Sequence, residues 1–168
     1  MQLYALDSKG KIIHAQQALR QTDYHCLECG GTSRLRGGPH RQRHFFHVDP
    51  PLTCRQHQKG AIHLKLQSHL QQLLPEGDCR LEMPFPSISR IADVAWQSKK
   101  IIFEIQCSPI SKDEVKQRNE NYTSLGYEVI WIFHDERYNQ SRLSAAELFL
   151  SNSPHYFSNM NEDGIGKI

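Results

Sequence analysis

The sequence predicts an α/β (α+β) protein: a mixed central sheet flanked by helices, behind a small β-rich, zinc-binding N-terminal module. Three observations predict it. A helical stripe of leucines precedes three closely spaced strand-like runs. A capped helix then leads into a near-continuously apolar run. Ahead of both stands a stretch rich in Cys, His, Gly and Arg but poor in aliphatic residues.

The first element is a hairpin, because Leu3-Tyr4-Ala5-Leu6 and Lys11-Ile12-Ile13 are short apolar runs around the turn residues Asp7-Ser8-Lys9-Gly10. From Tyr24 to Asp49 too few apolar side chains exist to bury a core, so something else must hold the segment together. Pro50-Pro51 marks a boundary, since proline lacks a donor and restricts the residue before it.

Between Lys59 and Leu74, Ile62, Leu66, Leu70 and Leu73 fall near one helical stripe that Pro75-Glu76-Gly77 ends. Strands are predicted over 79–85, 90–96 and 100–106, the last two joined by the tight Gln97-Ser98-Lys99 link. Ser111 and Glu114 form a capping box for a helix to about Leu125, with Gly126 suited to the left-handed position beyond it. The run from Tyr127 to Phe133 has the apolar continuity of a strand buried on both faces. A last helix is predicted over 144–150. The expected domains are residues 1–54, 55–150 and a polar, loose tail, 151–168.

The 168 residues allow one sizeable core, a domain of this size burying roughly 70% of its unfolded surface. No run approaches the ~20 apolar residues of a membrane span. The start, Met1 to Asp7, lacks the pattern of a secretory signal, so a cytoplasmic protein is expected. From Arg34 to Lys65, seven basic residues face one acid, a local net charge of +6. Such a field suits a polyanion, so Arg34, Arg36, Arg41, Arg43 and Lys65 are candidate DNA contacts, against the commoner meaning of a solvated face.

Two acids stand among apolar residues in neighbouring strands. Glu104 and Gln106 share one strand face, and counting back across the tight link sets Asp93 opposite Phe103 and Glu104. Buried carboxylates need a partner, and a divalent cation such as Mg²⁺ or Mn²⁺ is one. The alternative is that Asp93 meets Arg90 or a backbone N–H and Glu104 points to solvent. Glu82 reads as an ordinary exposed strand acid.

Cys26-x-x-Cys29 and, after fourteen intervening residues, His44-x-x-His47 offer the two thiolates and two imidazoles of tetrahedral zinc, with Cys54 as the alternative to His44. Cys79 and Cys107 read as buried small apolar residues.

Arg90-x-Ala92-Asp93-Val94, Glu104-Ile105-Gln106-x-Ser108, Arg118-x-x-x-Tyr122 and Val129-Ile130-Trp131-Ile132 together resemble the competence protein CoiA family, within the PD-(D/E)xK nuclease superfamily. The resemblance spans about Cys26 to Phe133 and includes a Cys-x-x-Cys and His-Phe-x-His element. It implies a restriction-endonuclease-like core, a divalent-metal nuclease acting on DNA in recombination, and recombination proteins as partners. It places Asp93 and Glu104 as metal acids, Gln106 where the superfamily often has lysine, His63 in the preceding helix and Arg118 near the phosphate. Glutamine is neutral and cannot act as a general base, so a weak or inactive DNA- or recombinase-binding module is the alternative.

Overall fold

The structure is a computed structural model and describes residues 1–39 and 41–168, with Arg41 described by its backbone alone. The chain divides into two compact units, Met1–Gly60 and Ala61–Ile168. The division falls past the expected boundary at residue 54.

In the first unit, β1 (Tyr4–Leu6) and β2 (Ile12–His14) form the expected hairpin, with Tyr4 opposite His14. Three further strands follow: β3 (Asp23–His25), β4 (Thr32–Gly38) and β5 (Arg41–His47). The antiparallel sheet runs β2-β1-β3-β4-β5. Its core is thin: Ala5, Ala15, Ala18, Tyr24 and Phe45, with Ile13 and Leu35 against them. Leu3 is buried as well, and this small apolar set leaves polar and metal-type contacts to add to the unit's order.

The second unit begins with α1 (Ala61–Leu73), which buries Leu64, Leu66 and Leu70. The meander β6 (Cys79–Phe85), β7 (Arg90–Trp96) and β8 (Ile101–Gln106) follows. Then come α2 (Lys112–Thr123), β9 (Glu128–His134), the short α3 (Ala145–Phe149) and β10 (His155–Ser158). The sheet order is β10-β9-β8-β7-β6. The meander pairs are antiparallel, whereas β9 runs parallel to both β8 and β10. This is the mixed sheet that three strands, a helical crossover and a buried strand require. The main core gathers Ile102, Val115, Tyr122, Val129, Trp131, Phe133 and Leu150 with smaller neighbours.

Two expectations are corrected here. The tail is not loose: β10 adds to the free edge of β9, Met160 is buried, and its carbonyl meets His134 Nε2 at 2.8 Å. Phe157 sits against the core, which supplies the apolar contact that the polar flanks concealed. Glu82 is not an exposed strand acid. It is 2% exposed, and its φ of +47° breaks the extended backbone between the pairs Leu81–Val94 and Met83–Ala92. A buried acid in a left-handed conformation stores roughly 1 kcal/mol or more of strain, a feature that clusters at functional sites.

Candidate functional site

Within the first unit, the turn joining β3 to β4 carries Cys26 and Cys29. Gly30 takes φ +68° and its N–H donates to the Cys26 carbonyl at 3.0 Å. Backbone N–H groups of Glu28 and Gly31 point at the two sulfurs, both at 3.4 Å. Beyond Pro50-Pro51, the chain returns Cys54 to the same place. Cys26, Cys29, His47 and Cys54 have ligand atoms all within 4.8 Å of one another, the one such cluster among the described residues. Cys26 Sγ lies 3.8 Å from Cys54 Sγ, and His47 Nε2 lies 3.3 Å from Cys29 Sγ and 3.5 Å from Cys54 Sγ. Tetrahedral zinc with ordinary Zn–S and Zn–N bonds has ligand edges of about 3.5–3.8 Å, so the spacing fits such an ion.

One expected ligand changes. His44 is buried, but its Nδ1 meets the Gln42 carbonyl at 2.9 Å, and Cys54 stands in the cluster instead. The reason is strand geometry. His44 and His47 both lie on β5, and residues three apart on a strand point to opposite faces. A His-x-x-His pair can share one ion on a helix or a turn, not along an extended strand. Burial pushes the Cys26 and Cys54 thiols up, the backbone N–H groups of Cys29 and Glu28 pulling the first part of the way back and Cys26 adding to the second. Burial lowers His47, and His57 lowers it further, which favours the neutral, metal-binding imidazole. Glu28 braces the Cys54 segment by pairing with Arg55 and accepting the Gln56 N–H at 3.0 Å.

The basic residues separate. Arg34 and Arg36 are exposed on one face of β4, the first paired to Asp23 at 2.6 Å and the second lying 4.1 Å over the Phe46 ring. Arg43 shares the strand face of Phe45, donates to the Ala18 carbonyl at 2.6 Å, and has its Nε buried. Lys65 is half-buried on α1, in the other unit. The side chain of Arg41 lies outside the described residues.

In the second unit, the β7–β8 ladder pairs Trp96–Ile101, Ala95–Ile102 and Val94–Phe103. Just past its last pair, Asp93 Oδ2 accepts the Ile105 N–H at 2.9 Å, so a carboxylate satisfies a donor that the ladder leaves. Asp93 Oδ1 meets His63 Nε2 at 3.0 Å, and Gln67, one turn further along α1, donates to the Asp93 carbonyl at 3.0 Å. All three are buried, and Gln67 Oε1 has no hydrogen-bond partner among the described residues.

Glu104 is 1% exposed. Its Oε2 accepts from Arg118 Nη1 at 2.7 Å and its Oε1 from the Tyr122 hydroxyl at 2.8 Å. The same guanidinium donates through Nε to Glu114 Oε1 at 2.9 Å, which Arg90 Nη1 also reaches at 2.6 Å. Burial pushes the Glu104 carboxyl above its ordinary range; Arg118 pulls it back, and Asp93 pushes it up again. Burial works against the charge on Arg118, but Glu104, Glu114 and Asp93 outweigh it. Burial pushes the Cys107 thiol up to about 12, with Asp93 contributing, in line with an inert half-buried cysteine. Gln106 turns its amide to the Ser108 carbonyl and hydroxyl, at 2.6 and 3.0 Å.

The structure therefore sets His63 on Asp93, and Arg118 on Glu104, as two adjoining pairs. Sequence reasoning missed the parts played by Gln67 and Arg90, of which Gln67 left a signal, four residues after His63 and so on the same helix face. The Arg118–Glu114 pair was legible in the same way, from a spacing of four on one helix. No helix is long and apolar enough to cross a membrane, among the described residues.

Residues 55–164 match the family model described as the competence protein CoiA, nuclease-like domain. No curated protein and no solved structure matches the chain significantly.

Proposed function

Since the chain belongs to the CoiA nuclease-like family, we propose that it hydrolyses DNA phosphodiesters with the help of Mg²⁺ or Mn²⁺ held by Asp93 and Glu104. One observation supports this above the others: two buried carboxylates from adjoining strands stand at the point where the β7–β8 pairing stops. Hard cations take such oxygen donors, and the donor chemistry fits. When bound, the ion activates water and neutralises charge on the phosphate. Around it, His63 orients Asp93, Arg118 serves the phosphate, and Gln106 positions polar groups without taking a proton. Arg34, Arg36 and Arg41 in the first unit and Lys65 in the second supply positive charge for DNA, in a cytoplasmic recombination pathway that family membership suggests.

The assay is cleavage of plasmid and single-stranded DNA with Mg²⁺ or Mn²⁺. Wild type should cut, and Asp93→Asn and Glu104→Gln, shown to be folded, should lose at least about a hundredfold. Equal cleavage by these variants would overturn the proposal.

A second reading is a weak or inactive DNA- or recombinase-binding module. It is favoured by the protein donors on both Glu104 oxygens and by the tied amide of Gln106. Unchanged DNA binding in a wild type that cuts nothing would select it.

A further inference from the structure

Arg118 and Glu104 form a close pair in the second unit's acidic centre, at 2.7 Å, and they differ in access. The Arg118 side chain is 17% exposed and that of Glu104 only 2%. Of the two, the guanidinium is the side chain that water reaches, so a cation drawn to Glu104 competes with Arg118 for it. The guanidinium also has somewhere else to stay, because its Nε is held by Glu114 and its Cζ lies 5.8 Å from the centroid of the Trp131 ring. Arg90 holds the other side of this anchor, pairing with Glu114 at 2.6 Å and with Asn121 at 3.2 Å.

Charge decides what this arrangement does. Counting carboxylates and guanidinium groups alone, Asp93, Glu104 and Glu114 against Arg90 and Arg118 leave one net negative charge, and Asp93 is itself paired with His63. A divalent ion added with Arg118 still in place reverses that sign and sets two cations on one buried carboxylate. Like charges in a poorly solvated site repel by several kcal/mol at close range. One of them has to leave.

We infer that Arg118 is the resident cation of this centre: it and a divalent ion exclude one another on Glu104, and a DNA phosphate draws the guanidinium away so that the ion can enter. This rests on the reading that Asp93 and Glu104 hold the divalent ion. Metal loading is then gated by substrate. The phosphate restores the charge balance that the ion upsets, and the anchor at Glu114 lets Arg118 swing without leaving the site. The guanidinium's planar fork suits this exchange, because it fits a carboxylate and a phosphate equally well.

The test is Mn²⁺ binding to the zinc-loaded full chain, followed by the paramagnetic resonance signal of free Mn²⁺. Arg118→Gln should bind Mn²⁺ about tenfold more tightly than wild type, the order expected from removing one charge-assisted hydrogen bond that competes with the ion. Arg118→Lys keeps the charge but not the fork, and should tighten by less. It also covers the case in which Arg118→Gln fails to fold. A phosphorothioate oligonucleotide, corrected for the Mn²⁺ it holds itself, should tighten wild type toward Arg118→Gln and leave that variant nearly unchanged. Mn²⁺ binding that depends on both acids but is equal or weaker in the folded Arg118 variants overturns this inference alone. Binding indifferent to Asp93→Asn and Glu104→Gln overturns the underlying reading as well.

Discussion

Asp93 Oδ2 and the Ile105 N–H lie 2.9 Å apart, beyond the last β7–β8 pair, so this acid closes the sheet as well as facing His63. Asp93→Ala should therefore strip a buried donor of its partner and cost about 1–3 kcal/mol, measured by urea unfolding. Asp93→Asn keeps an acceptor for Ile105 and should stay within about 1 kcal/mol of wild type. The asparagine variant is thus the one that separates lost chemistry from lost fold. Equal stability of the alanine variant would show that the hydrogen bond does not matter.

The Cys/His centre makes a sharp distinction between two residues. Cys54→Ser should lower bound zinc below one equivalent in a metal-release assay, whereas His44→Ala should retain it. Removing zinc with a chelator should unfold the thin-cored first unit, since structural zinc contributes on the order of 10 kcal/mol. Zinc loss in His44→Ala with retention in Cys54→Ser would reverse the ligand assignment.

For the basic strand pair, Arg36→Ala should weaken DNA binding and reduce the salt slope by about 1, as one phosphate contact does. Arg43 donates to the Ala18 carbonyl, so Arg43→Ala should act on stability. A fall of roughly 1 kcal/mol in urea unfolding is expected there. The opposite pattern would place DNA on the Phe45 face of β5.

Met160 is 1% exposed, in a segment that composition alone marks as tail. Met160→Ala should cost about 2–5 kcal/mol in urea unfolding, as truncation of a packed methionine does. No loss would mean that the last residues do not pack on the fold.

Glu147 links folding to pH. Burial alone would raise its pKa, but the Asn139 N–H and the Ser144 cap, at 2.7 Å each, outweigh it and hold the carboxyl below its ordinary range. A depressed acid contributes stability above the unfolded value of about 4.3 and loses it as pH falls through the folded value. Wild type should therefore lose stability below about pH 4.5 more steeply than Glu147→Gln, which should itself be about 1 kcal/mol less stable near neutrality. Parallel acid profiles would show that the cap is not linked to protonation.

Local pattern was enough for α1 as a helix, though Leu73 of its expected stripe is exposed and Leu64 is buried instead, and for the Ser111 cap of α2 at 3.1 Å, the apolar run of β9 and the β7–β8 link. Each depends on neighbours a few residues away, and the sequence states those directly. Partners were another matter. Cys26 finds Cys54 across 28 residues and His63 finds Asp93 across 30, and no periodicity specifies such meetings. Whether His44 or Cys54 faces His47 depended on β5 being extended throughout. Whether Glu104 met solvent, an ion or a guanidinium depended on α2 crossing to bring Arg118 within 2.7 Å. Sequence by itself determined the elements and the acids; tertiary structure decided what each acid touches, because contacts between distant residues exist only once the sheet has formed.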